Sequence, residues 1–153
     1  MRLRLIWTGK TRDANLRALI EEYLQRLSHF AKCEVSEFRE TAGAQRKAGI
    51  DKDSQRISDG LREGAINVLL DPEGDESTSA QLAKQIEQWQ NSGTKELTFI
   101  VGGPNGVSAE LAARASKRWS LSRLTLTHEM ARVLLLEQLY RAYTIIHGLP
   151  YQK

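Results

Sequence analysis

Apolar positions along this chain follow two periods in turn, and their alternation sets the expected architecture. In "RLRLIW" (residues 2–7) polar and apolar residues alternate until Gly9, as in a strand with one buried face. Asp13 stands where a helix N-cap belongs, and Leu16, Leu19, Ile20, Tyr23, Leu24 and Leu27 follow at helical spacing. "CEVSEF" (33–38) returns to strand spacing. Residues 39–64 are polar and include Gly43, Gly49 and Gly60; residues 52–61 predict a helix, and the part before them a mobile loop. "INVLLD" (66–71) is a continuous apolar run suited to a buried parallel strand, and "PEGDE" (72–76) is expected to turn the chain.

Leu82, Ala83, Ile86 and Trp89 mark an amphipathic helix that ends near Gly93. "ELTFIV" (96–101) reads as another buried strand, and the glycine-rich "GGPNG" (102–106) follows it. Ser108 is placed to cap a helix through "AELAARASKRW" (109–119). "LSRLTLT" (121–127) predicts a short final strand or strand-like loop, and residues 128–148 a long helix before the tail "LPYQK". Strands alternating with helices predict an α/β domain with a largely parallel sheet, and residues 1–153 show no internal boundary. The last helix is apolar on two sides. Leu135, Leu136, Leu139, Tyr140, Tyr143 and Ile146 share one face, while Met130, Leu134 and Ile145 lie on another. One face can cover the sheet; a second subunit is the expected cover for the other, which predicts a homodimer.

Composition narrows the function classes. The 153 residues suffice for a core without disulfides or metals, and the single cysteine, Cys33, excludes an internal disulfide framework and a Cys-rich zinc site. In strand-like surroundings Cys33 reads as a packed thiol. Arginines interrupt the first apolar run, and no segment is apolar enough to span a bilayer, so the expected location is cytoplasmic. A net charge of +3 permits an acidic partner such as RNA without demanding one.

The strand–glycine–helix order around "FIVGGPNGVS" (99–108) raises the question of a phosphate cradle. A P-loop requires a lysine after its last glycine, but Val107 and Ser108 follow Gly106. The dinucleotide fingerprint has a different glycine spacing and comes early in its βαβ unit. What remains is a side-chain-poor turn at the carboxyl end of a strand, where ligands bind in open α/β sheets. "LLDPEG" (69–74) and "SLSRLTLTH" (120–128) are expected at the same sheet edge. Three such loops suit an uncharged ring, with Asp71 or Glu73 facing a cationic group; an Asp before Pro also serves simply as a turn or capping residue.

"LDPEG", "FIVGGPNGVS", "WSLSRLTLTHEMARVLLLEQLYRAYTIIHGLPY" and the opening "RLRLIWTGK", in this order and spacing, resemble the bacterial family of ribosomal RNA large-subunit methyltransferase H, a SPOUT-class family. The likeness runs along the whole chain and is densest from Thr98 to Tyr151. It implies an S-adenosylmethionine-dependent enzyme that methylates N3 of a pseudouridine in 23S ribosomal RNA on the assembled ribosome. It also implies a sheet with helices on both faces, a C-terminal deep trefoil knot and a homodimer. By resemblance, Leu70, Asp71, Gly103, Ser122, Arg123, Leu124, Thr125, Leu126 and Thr127 bind the cofactor, and His128, Arg141 and Tyr151 belong to the catalytic part. Gln152 and Lys153 are expected at the RNA.

The tail departs from the family, which ends in Pro-Tyr-His and a basic residue, whereas Gln152 follows Tyr151 here. Glutamine hydrogen-bonds but does not take up a proton near neutral pH. Either another group accepts the N3 proton, or this position only hydrogen-bonds RNA; the second reading is adopted. His128 is as well suited to capping as to chemistry, and Arg132 and Arg141 could simply pair with Glu129 or Glu137. His147 fits a helix C-terminus and Trp119 a core position.

Overall fold

A computed structural model describes residues 1–41 and 46–151. Five parallel strands form its sheet, in the order β2-β1-β4-β3-β5. They are β1 (Arg2–Thr8), β2 (Lys32–Phe38), β3 (Ile66–Glu76), β4 (Glu96–Val101) and β5 (Lys117–Ser120). The helices are α1 (Ala14–Leu27), α2 (Arg46–Gly60), α3 (Ser79–Asn91), α4 (Ala109–Arg114) and α5 (His128–Ile146). Helices cover both faces. Leu3, Leu5 and Trp7 of β1 pack in one core with Ile20 of α1, Ile86 of α3 and Leu139 of α5, whereas Ile6 packs with Ile57 of α2 and Leu111 of α4.

Local signals fix most of the boundaries. Asp13 caps α1 by accepting from the Asn15 and Leu16 amides, at 2.9 and 3.0 Å. Thr78 and Gln81 form a reciprocal capping box at α3, and Ser108 caps α4 through the Leu111 amide. Gly93 follows α3 with φ of 82°, a conformation that a side chain disfavours.

The structure corrects the sequence reading in four places. β1 buries both faces, because β2 and β4 flank it and helices lie above and below. Arg4 is accommodated there by donating to the Gly60 carbonyl at 2.6 Å and the Ser36 hydroxyl at 3.1 Å. α2 starts at Arg46, so part of the expected loop is helical; residues 42–45 lie outside the described residues. "PEGDE" does not end β3. Leu70 and Asp75 both oppose Trp119, and residues 71–74 bulge out between them before pairing continues with Glu76 opposite Ser120.

Finally, the helix after Ser108 stops at Arg114, and residues 117–120 form the last strand. Ala115 takes an extended conformation, the Ser116 amide donates to the Asn67 carbonyl at 2.7 Å, and the Ser116 hydroxyl accepts from the Asn67 amide at 3.2 Å. These bonds start β5 on β3 and override the helical propensity of the alanine-rich run. Residues 121–127 are consequently a loop.

Candidate active site

Because all five strands are parallel, their carboxyl ends share one edge of the sheet. Loops after β4 and β5, with the bulge of β3, meet there. The bulge is tightly held. Asp71 accepts from the Glu73 amide and from Arg118 Nε, each at 2.9 Å. Burial pushes the Asp71 carboxyl upward, but the Glu73 amide and the Arg118 guanidinium outweigh it and hold it below the ordinary range. Its charge is thus already matched, in the turn-and-pairing role rather than as a free anion.

The glycine loop closes on itself. The Gly106 amide donates to the Gly103 carbonyl at 3.0 Å, Gly106 has φ of 81°, and the Ser108 amide donates to Ser54 of α2 at 2.8 Å. In the third loop, Ser122 accepts from the Leu124 amide at 3.0 Å, and Arg123 reaches across to the bulge, donating to the Pro72 carbonyl and pairing with Glu76 at 2.7 Å. Thr127 caps α5 by accepting from the Met130 amide at 3.2 Å.

A cavity of about 120 Å³ lies between these loops. Leu70, Asp71 and Pro72 line one side, Val101 and Gly102 the floor, and Leu121, Ser122, Leu124, Leu126, His128 and Ala131 the remainder. Its size suits a heterocyclic ring rather than a whole nucleotide cofactor. Two observations bear on what it can hold. The Ser120 hydroxyl, one residue before the wall, is buried without a hydrogen-bond partner. Gly102 is part of the lining, and a Cβ on it would point at the glycine loop, within 3.1 Å of Val107 Cγ1. An apolar lining with few polar groups and close backbone approach fits an uncharged ring.

The structure brings together most of the sequence-expected positions, but not all. Leu70, Asp71, Ser122, Leu124 and Leu126 line the cavity, and so does His128. Arg123, Thr125 and Thr127 belong to the same loop without lining it. Gly103 lines a separate cavity beside α2, whereas its neighbour Gly102 lines this one; adjacent glycines give no sequence signal that separates them.

Arg141 is thirteen residues beyond His128 on α5, roughly 20 Å away at the ordinary helical rise. There it forms a second cluster. Arg141 pairs with Glu137, with Nε at 3.0 Å, and its guanidinium lies 4.8 Å over the Tyr151 ring. The Tyr151 hydroxyl donates to Glu137 at 3.1 Å and lies 3.3 Å from the Tyr23 hydroxyl. Burial first, then these neighbours, push the Tyr151 phenol upward, so it stays protonated. Glu137 is the hub of this cluster; its four-residue spacing from Arg141 was visible in the sequence, the hub role was not. Gln152 and Lys153 lie outside the described residues.

The remaining candidates take structural roles. Trp119 is 4% exposed and meets Phe99 edge to face. His147 is the C-cap of α5 and stacks on Phe30 at 5.1 Å. Cys33 is half-buried, and burial pushes its thiol up to about 11. Arg132 pairs with neither expected glutamate; it is fully buried and bonds to the end of β1. No helix among the described residues is long and apolar enough to cross a membrane.

The chain is similar to known proteins along its whole length. Residues 1–152 match the family described as "Predicted SPOUT methyltransferase". The chain is 44% identical to "Ribosomal RNA large subunit methyltransferase H" of Geobacter sp. (strain M21), covering 99% of this chain and 98% of that protein. It is 38% identical to the protein of the same name from Desulfotalea psychrophila, over the whole of both chains. Among solved structures, a probable methyltransferase from Bordetella pertussis Tohama I superposes with a TM-score of 0.59 at 12% identity, covering 92% of this chain and 93% of that one. At that identity the likeness speaks for the fold.

Proposed function

The chain belongs to the SPOUT methyltransferase family, and on that premise we propose that it transfers a methyl group from S-adenosylmethionine to N3 of a pseudouridine in 23S ribosomal RNA on the assembled ribosome. The observation that carries this reading is the cavity built by the three loops at the carboxyl edge of the sheet. Relatives named for ribosomal RNA large-subunit methylation support the substrate class. The bulge, the glycine loop and the third loop are taken as the loops of a deep trefoil knot in a single domain.

S-adenosylmethionine, when bound, supplies a methyl group already activated on a sulfonium. The residues of this chain that would hold it are those of the cavity. Leu70, Val101 and Leu121 exclude water from its ring, and Gly102 lets the backbone approach. Arg141, held by Glu137, and Tyr151 are assigned to orient the target base by hydrogen bonds, and the N3 proton is released to solvent as the methyl–sulfur bond breaks and the methyl–N3 bond forms. Gln152 is assigned a hydrogen bond to RNA rather than proton transfer.

Within one chain Arg141 and Tyr151 stand too far along α5 to meet His128. A second copy solves this, by presenting its tail cluster to the first copy's cavity. Met130, 40% exposed on the outer side of α5, and Leu19 of α1, 39% exposed, are apolar positions suited to contact with that copy. The active species is therefore a homodimer.

Incubation with ribosomes and methyl-labelled S-adenosylmethionine, followed by mapping of the labelled nucleotide, tests the function. The expected label is on N3 of one pseudouridine in 23S RNA, with naked RNA methylated poorly. Label elsewhere would assign another target; equal rates on naked RNA and ribosomes would remove the ribosome from the proposal. Calorimetry with S-adenosylmethionine on Gly102→Val tests the cavity, with a loss of affinity of about tenfold or more expected because the added side chain meets Val107 and displaces the glycine loop beneath the cavity.

A further inference from the structure

We propose that Arg132 is a positioning residue of the donor cavity, tying the first turns of α5 to the end of β1 so that the cavity walls keep their spacing. This rests on the reading that the cavity takes S-adenosylmethionine. Arg132 is 0% exposed. Its Nη1 donates to the Thr11 hydroxyl at 2.9 Å and its Nη2 to the Thr8 carbonyl at 2.8 Å, while its guanidinium lies 5.0 Å over the Trp7 ring. Its partners are thus a hydroxyl, a carbonyl and a ring face rather than a carboxylate, and its Nε has no hydrogen-bond partner. Burial lowers its pKa, and Glu129, Glu37 and Glu40 act in the opposite direction.

A buried cation without a close counter-ion is a poor source of stability, and an apolar residue of similar volume often serves the fold as well or better. What Arg132 provides is direction. Its planar fork makes two bonds of fixed relative geometry, one to the last residue of β1 and one to the segment just after it. Both ends of that tie lead to the cavity. Thr8 follows Trp7, whose register partner on β4 is Val101 in the cavity wall. Arg132 itself follows Ala131 and lies one helical turn from His128, two further wall residues. Glu129 makes a second tie to the same segment, accepting from the Arg12 amide at 2.8 Å and the Asp13 amide at 3.0 Å. The start of α5 is held at two points, one buried and one at the surface, and a shift of either moves one cavity wall against the other.

The test compares Arg132→Met and Arg132→Lys with the native chain, by calorimetry with S-adenosylmethionine well below each protein's unfolding temperature. Ile86→Ala, in the α3 core away from the cavity, serves as a destabilised control. Arg132→Met is expected to weaken donor binding by about tenfold or more, because small misplacements of binding groups are costly. Arg132→Lys should recover part of the loss. Ile86→Ala should bind as the native chain does, and kcat on ribosomes at saturating donor should change less than Kd in the Arg132 variants. Native donor affinity in a folded Arg132→Met protein overturns the proposal, as does an equal loss in Ile86→Ala. If Arg132→Met does not fold, Thr11→Val removes one of the two bonds and leaves the charge; a loss of about threefold is expected from one such bond, and native affinity overturns the proposal. If the native chain binds no S-adenosylmethionine, the cofactor reading itself fails, before any variant is compared.

Discussion

A Cβ on Gly74 would stand 2.6 Å from the Arg118 carbonyl carbon and 2.8 Å from the Trp119 nitrogen. Neither neighbour is a flexible side chain, so Gly74→Ala must push β5 away from the bulge. We expect a loss of about 2 kcal/mol in urea unfolding, the usual scale of overpacking against well-packed neighbours. An unfolding midpoint equal to that of the native protein would show that the strand yields freely. The sequence offered Gly74 only as a turn glycine, because the backbone it touches is more than forty residues away. Cys33 is the opposite case, read as a packed thiol and half-buried in the structure. With burial pushing its pKa up to about 11, it is almost wholly protonated at pH 8. Alkylation by iodoacetamide should run roughly a hundredfold slower than for an unperturbed thiol; a rate like that of free cysteine would contradict the burial.

Element by element, α5 carries most of the site, and its junction with the start of α1 is sensitive to acid. The Asp13 amide, and after it the Arg12 amide, hold the Glu129 carboxyl below the ordinary glutamate range. A depressed carboxylate adds stability above its unfolded pKa and loses it as pH falls through the folded value. The thermal midpoint of the native protein should therefore exceed that of Glu129→Ala by a constant margin above about pH 5, and the margin should shrink toward pH 3. A margin independent of pH would assign the effect to helix packing. The helices and their caps were legible because the signals are local: Asp13 and Ser108 lie within one turn of the amides they cap. The strand of residues 117–120 was not legible, since its alanine-rich approach favours helix and only the hydrogen bonds from Asn67 and Ser116 begin it. The edge that carries the cavity could be inferred from strand order; that Gly102 rather than Gly103 lines it could not.

For the whole molecule, the decisive feature is the distance between the cavity at one end of α5 and the Arg141–Tyr151 cluster toward the other. If the tail acts on a partner's cavity, two inactive chains can complement each other. Gly102→Val displaces the loop beneath the cavity and leaves the tail, whereas Arg141→Ala removes the tail guanidinium and leaves the cavity. Dimers assembled from an equal mixture should recover about a quarter of native activity, since half are mixed and each mixed dimer has one complete site. No recovery above the separate variants, in mixtures proven to exchange subunits, would place both groups of one site in the same chain.

By itself the sequence determined the alternation of strands and helices, most helix starts, the family and the three segments that meet at the cavity. These depend on periodicity, on caps within a turn and on the order of short motifs. The tertiary structure alone decided that β3 pairs with Trp119 twice around a bulge and that Arg4 and Arg132 are buried. Those outcomes depend on groups distant along the chain. The Thr8 carbonyl that receives Arg132 lies 124 residues before it, and no local pattern records such a partner.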